Sequence, residues 1–275
     1  MASINTWRWR TKLKFVVGCV LLALFLLPAI GSAQENVETI ISRSVQANNH
    51  DWDSDPKYDF SERDRDGADI KTYDVKMIFG SPYERLVAIN GKPLDGTRQE
   101  AEQRKFEHTL HERKSESPEK RTERIGKYNA ERKRDHAMLT ELTKAFNFKL
   151  TGEETLNDHK VYVLEATPRP GYRPPSRNAR VLTGMRGRLW IDQKTFQWVK
   201  VEANVIHPVA IEGFIARVQP GTHFELEKAP VSSDIWLPTH FAMKASAKVM
   251  LVWNHNSQED DYYFNYHPTP PTPSN

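Results

Sequence analysis

Read for the spacing of apolar and polar positions, the chain changes period twice. From Thr72 it alternates, placing Tyr73, Val75, Met77 and Phe79 on one face of a strand. Tyr83 to Ile89 continues the pattern, and Asn90-Gly91 behind it is a strong hairpin signal. Between Arg98 and Asn147 the only breakers are Gly126 and Pro118, so this block predicts helix. Thr97-Arg98-Gln99-Glu100 is a capping box after the turn Leu94-Asp95-Gly96, and Ser117-Pro118 is a second start, which predicts helices over 97–115 and 118–147. Their apolar content is thin. Phe106/Leu110 and Ile125/Tyr128 are isolated pairs, and only Met138, Leu139, Leu142 and Phe146 form a stripe. The expectation is a charged hairpin docked by its last turns, with its outer part solvated.

Alternation then returns. Segments 148–156 and 160–167 flank Asn157-Asp158, a Pro/Gly/Arg loop covers 168–184, and 186–192 and 197–205 flank Gln193-Lys194-Thr195. In the last of these, Val199, Val201, Ala203 and Val205 fall on one face and Trp198, Lys200, Glu202 and Asn204 on the other. Segments 211–218, 223–228 and 236–240 follow, then thirteen alternating residues that include Phe241, Met243, Val249 and Leu251, and finally 261–266. About ten antiparallel strands interrupted once by helices predict an α+β fold. The sheet is expected to be strongly curved and open, a half-barrel, with the charged helical hairpin inserted at 97–147 and packed on or over it. A short helix at 37–47 precedes it, and 268–275 (HPTPPTPSN from His267 onward) is a polyproline-like tail.

Charge changes meaning with position. The whole chain of 275 residues carries +3. Residues 1–33 hold Arg8, Arg10, Lys12 and Lys14 without an acid, then the apolar run Phe15–Leu27, then Gly31-Ser32-Ala33. These are the three parts of a secretory signal, with cleavage expected after Ala33. The apolar run is shorter than the roughly 20 residues of a membrane span, so no integral span is expected after cleavage. The remainder has 35 Lys/Arg against 36 Asp/Glu and no cysteine, since Cys19 is the only one. It reads as a single domain over 34–267, in the periplasm or outside the cell.

With strands, hairpin and signal in this order, the chain resembles the lipoprotein-carrier superfamily, the LolA/LolB-like proteins. The stretches that carry the likeness are Tyr73–Leu94 (YDVKMIFGSPYERLVAINGKPL), Gly187–Asn204 (GRLWIDQKTFQWVKVEAN) and Trp236–Tyr266. The resemblance implies a curved sheet wrapped around helices with an apolar cavity. It implies no particular functional residue, because pattern rather than motif carries it.

Catalytic signatures are missing. There is no G-x-S-x-G, no G-x-G-x-x-G and no Walker sequence. From Asp51, acids recur at EF-hand spacing, but Pro56 replaces the required glycine, so 51–55 reads as a solvated acidic linker. His108 and His111 are three apart with no intervening glutamate, and read as a solvated helix face. Glutamates interleave with the basic clusters, and no aromatic platform accompanies them, which argues against nucleic acid. No cofactor, metal or catalytic group is expected. Segments such as Val161-Tyr162-Val163-Leu164 and Leu189-Trp190-Ile191 are apolar on both faces, so one face is free to line a pocket. The expected function is therefore binding of a lipid or lipoprotein acyl chain in the concave face. Its expected lining is Tyr73, Val75, Met77, Phe79, Val199, Val201, Met243, Val249 and Leu251. The alternative is an envelope interaction or regulatory module that meets a protein partner through the helices of 98–134. A hydrolase is the remote third.

Overall fold

The computed structural model describes residues 36–66, 69–211, 216–249 and 253–270. The segment read as a signal lies outside them, as do Leu251 and the end of the tail. Among the described residues three α-helices, α1 (Val37–Ser54), α2 (Gly96–Ser115) and α3 (Pro118–Ala145), accompany one antiparallel sheet. The sheet contains β1 (Tyr58–Asp66), β2 (Asp69–Ile78), β3 (Ser81–Ile89), β4 (Lys92–Pro93), β5 (Phe146–Leu156), β6 (His159–Pro168), β7 (Met185–Asp192), β8 (Trp198–Val205), β11 (His223–Pro230), β12 (Trp236–Val249) and β13 (Trp253–Pro268). Two short strands, β9 (Val209–Ala210) and β10 (Ala216–Val218), attach to β12. The order β4-β3-β2-β1-β13-β12-β11-β8-β7-β6-β5 leaves β4 and β5 as open ends. This is the α+β open sheet with a helical hairpin that the pattern predicts. Among the described residues, no helix is long and apolar enough to cross a membrane.

Three two-residue turns set the register. Phe79-Gly80, Asn90-Gly91 and Asn157-Asp158 all have positive φ at both positions, the geometry that matches strand twist. Two of them were legible as turn sequences. Phe79 was not, and the structure takes it out of the strand face assigned to it because the chain must reverse there. At Gly80 (φ +88°) an added Cβ would lie 2.9 Å from Ile125 Cδ1, so the turn also needs glycine for the approach of α3.

α1 and the end of α3 pack on one face of the β5–β8 half. Ile40 of α1, Ala145 of α3 and Leu182 of the 3₁₀ turn Asn178–Gly184 meet Leu164, Leu189, Ile191, Trp198 and Val201. That 3₁₀ turn lies within the segment read as loop. On the opposite face Val161, Val163 and Trp190 pack with Val199 and Trp236 in a second cluster. Segments apolar on both faces are thus buried on both.

One strand is added to the sequence reading and two expectations are corrected. Residues 58–66 form a strand although they read YDFSERDRD. β1 pairs with both β2 and β13, and two ladders of backbone hydrogen bonds outweigh its low strand propensity. α1 runs to Ser54, so Asp51 and Asp53 lie in a helix rather than a linker. The hairpin boundaries agree closely, although the first N-cap is Asp95 rather than Thr97; Asp95 Oδ1 and Ser117 Oγ accept from the backbone N–H groups of Arg98 and Lys120. Its outer part, however, is held to the sheet. Arg113 donates to the carbonyls of Ile78, Ser81 and Pro82, and Arg124 donates to Ser81 Oγ, the Phe79 carbonyl and Glu116. α2 runs beside β3, which meets β4 only at Ala88 and Ile89, with Phe106 against Tyr83 (5.7 Å) and Gln103 bonded to Arg85. A helix beside a short-partnered strand protects an otherwise open edge.

Candidate functional site

α1 is the element that organises the site. Its inward stripe is Ile40, Ser44, Asn48 and Asp51, spaced four, four and three apart, so it passes from apolar to polar along the helix. The polar end is locked. Lys228 donates to Asp51 Oδ2 and to Asn48 Oδ1 (3.0 Å). Asp51 Oδ1 accepts from Gln197 Nε2 (2.9 Å) and from the backbone N–H of Trp236 (3.0 Å). Asp51 and Lys228 are 3% and 8% exposed, so these are nearly dry charges. Burial pushes the Lys228 ammonium below its ordinary range, against the pull of Asp51. The carboxyl of Asp55, just beyond the helix, is pushed up by burial although Arg132 opposes it.

The apolar end is looser. Val37, Ile41 and Val45 are only partly buried and, with Phe148, form the apolar wall of an open groove of about 560 Å³. Thr143, Asn147 and Arg169 close its other side, and Glu38, Ser42 and Gln46 form its rim. Arg169 donates to the carbonyls of Thr143 and Phe146 and to Asn147 Oδ1, which fixes it across the end of α3. The volume lies in the usual range for small-ligand sites, about 300–1,000 Å³. Its ionisable lining groups are Glu38 and Arg169. The geometry is a helix pinned at one end by buried charges and edged at the other by an apolar slot.

The residues expected to line the cavity are distributed differently. Cross-strand partners share a face. Tyr73, Val75 and Met77 therefore lie on one face of β2, the one that also carries Phe60 and Glu62 of β1, and Val75 is fully buried there. Met243, paired with Phe224 and Glu259, continues that face on β12. Val199 and Val201 do not share a face. Trp190 pairs with Lys200 while Ile191 pairs with Trp198, so Val199 is the extra residue of a β-bulge. The bulge sends Trp198 and Val201 to the helices and Val199 to the second cluster. Phe79 sits in its turn with the Arg121 guanidinium 5.7 Å from its ring. Val249 ends β12 opposite Ala216 and Trp253. Among the described residues of that set, none lines the groove.

Sequence reading missed Asp51, Lys228 and the groove. The signals were present: a polar stripe in phase with Ile40, and a lysine in phase with Phe224 and Leu226 on a strand. Each looks like solvated surface until the partner from the other end of the chain is known.

No family model and no curated protein matches the chain. Solved structures do. The chain is similar to a domain described as an outer membrane lipoprotein-sorting protein from Vibrio parahaemolyticus, at 10% identity over 86% of this chain and 95% of that one, with a TM-score of 0.33. It is similar to a LolA superfamily protein from Nitrosomonas europaea at 12% identity, over 87% and 96%, with a TM-score of 0.32. A DUF1329 family protein from Desulfovibrio piger gives 10% identity, over 87% and 96%, with a TM-score of 0.31. The likeness is one of fold.

Proposed function

We propose that the protein works in the cell envelope and binds the acyl chain of a lipid or lipoprotein between α1 and the sheet. The groove walled by Val37, Ile41, Val45 and Phe148 supports this reading. Burying an apolar chain there is favourable by about 25 cal/mol per Å², with no reacting group required. The buried Asp51–Lys228 pair keeps one end of α1 in place while the other makes room. In this reading Phe148 supplies the sheet side of the slot, and Val201, Tyr73, Val75, Met77 and Met243 lie on the same sheet face beyond it. Native mass spectrometry of the purified protein tests the idea. Bound lipid is expected, and Val45→Asp should remove it by placing a charge in the slot. A lipid-free mass, or the same adduct on the variant, would sink the proposal.

One observation favours a second reading, a protein-interaction module. α2 has no buried residue, and Leu110 on it is 40% exposed. In that case a partner retained from envelope extract should be lost with Arg104→Glu and Lys127→Glu, which leave the docking arginines alone, while no lipid is found.

A further inference from the structure

On the face of the sheet turned away from α1, two neighbouring strands bring together a different chemistry. Glu225 and Glu227 of β11 and His240 of β12 project there, with Glu227 and His240 directly paired across the strands. One carboxylate oxygen from each glutamate and one imidazole nitrogen all lie within 4.8 Å of one another, and all three residues are half-buried. His240 is further constrained. Its Nε2 is 2.9 Å from Asp260 Oδ1, and its ring stacks on Tyr262 at 4.4 Å. A carboxylate on one ring nitrogen leaves the other with the lone pair, which is how metal-bound histidines are usually oriented. Arg63 lies over the far partner of that stack, 4.7 Å from the Tyr262 ring.

We propose that Glu225, Glu227 and His240 form a Zn²⁺ site. Imidazole with two carboxylates is a donor set that suits this ion. Bond lengths of about 2.0–2.2 Å allow ligand atoms to stand up to about twice that distance apart, so small side-chain rotations close the site. Water completes the coordination from the exposed side.

The resident competitor is Lys200. Its Nζ lies 2.7 Å from Glu225, 3.2 Å from Glu227 and 3.0 Å from Glu202. His223 also approaches Glu225, at 3.5 Å. One ammonium faces three carboxylates here and Asp260 sits on His240 beside them, so the cluster has charge to accommodate a dication. Glu202 gives Lys200 a seat when the other two glutamates turn to the metal. Zinc and ammonium then compete for the same oxygens.

Isothermal titration of the purified protein with Zn²⁺ is the test. One equivalent is expected to bind. His240→Ala and Glu227→Gln should abolish it, Asp260→Asn should weaken it by about 10–100-fold, and Lys200→Met should tighten it. A readout that needs no substitution is the imidazole nitrogen resonance of His240, which should shift on zinc addition. Absence of stoichiometric binding overturns the proposal. So does binding unaffected by His240→Ala, or an unshifted His240 resonance. Binding by Lys200→Met alone also overturns it, because the cluster is then a salt-bridge network with lysine as its only cation.

Discussion

The two ends of the sheet are built on different physical terms. In the β5–β8 end, Leu164, Ile191, Val161 and Val199 are each at most 1% exposed, and both faces of the sheet are covered. In β1–β3 and β13, among the described residues, only Val75 and Ile78 are buried apolar side chains. That end is held by backbone ladders, by Phe60 against Tyr263 and Tyr266 (6.0 and 5.3 Å), and by the arginines of α2 and α3. One end is stabilised by area removed from water, the other by pairing. A sheet so divided is expected to lose its ends separately, and each prediction below attacks one of them.

The largest effect should come from the anchor that ties α1 to the apolar end. Lys228→Met leaves Asp51 charged and dry, at a cost of about 3–5 kcal/mol. Denaturant unfolding measures it. Pairing Lys228→Met with Asp51→Leu should recover part of the loss, since an apolar pair of similar volume is often tolerated. If the single variant costs no more than a surface substitution, the anchor is not what holds α1. Next comes Leu164→Ala, expected to cost about 2–5 kcal/mol because the site is packed from every side. The same truncation at half-buried Met77 should cost clearly less. Equal losses would erase the distinction between the ends.

The legibility of the chain follows the same division. Where burial decides, the sequence is explicit: the doubly apolar segments around Val163 and Trp190, and the α3 stripe at Leu139 and Leu142, fall where periodicity puts them. Where pairing decides, it is silent. β1 has acids or arginines at six of its nine positions and becomes a strand because β2 and β13 accept it on both sides. Asp51 and Lys228 are 177 residues apart, so neither reveals that the other satisfies it. The bulge at Val199 is a single-residue slip, yet it inverts the parity of everything before it, including Trp198. That bulge and the Phe79 turn take Val199 and Phe79 away from the face that Tyr73, Val75, Met77, Val201 and Met243 share. The groove itself was invisible because α1 and β5, which wall it, are separated by the whole helical hairpin.

A smaller effect should separate the ends more sharply. Arg113→Ala removes three hydrogen bonds from a charged donor to the carbonyls of Ile78, Ser81 and Pro82, for a loss of about 1.5–3 kcal/mol. Because the contact is local, hydrogen exchange should report it as faster opening of β3, α2 and the start of α3. Protection in β6–β8 should stay unchanged. Uniform loss of protection would mean that the sheet opens as one unit, against the division argued above.

The smallest effect is a pH dependence confined to the paired end. Glu62, Asp64, Glu84, Glu259 and Asp261 share one sheet face, with Lys71 paired across from Asp64. Burial, then the charge of Glu84, raises the Glu62 carboxyl to about 7; burial, then Glu259, raises Asp261 to about 6. An acid whose folded pKa exceeds its unfolded one keeps more protons in the folded state. Its stabilising share is complete below pH 4.5 for Glu62 and 3.8 for Asp261, and is lost as pH rises through about 7 and about 6. Glu116 has the opposite sign. Its hydrogen bond to Arg124 holds its carboxyl low, so its contribution changes only below pH 4.5. Between pH 5 and 7.5 the Glu62 cluster should therefore set the slope, and the protein should be more stable at the acid end. Because Glu62 is only partly buried, screening reduces the gain to the order of 1 kcal/mol. For a chain of this size that corresponds to a Tm higher by about 2–4 °C at pH 5.5 than at pH 7.5. Glu62→Gln should flatten the profile, whereas substitution of exposed Glu153 in the apolar end should not. A Tm that rises with pH over this interval would show the five carboxylates to be ionised and compensated in the folded protein, and the paired end would then owe its cohesion to Lys71 and its neighbours.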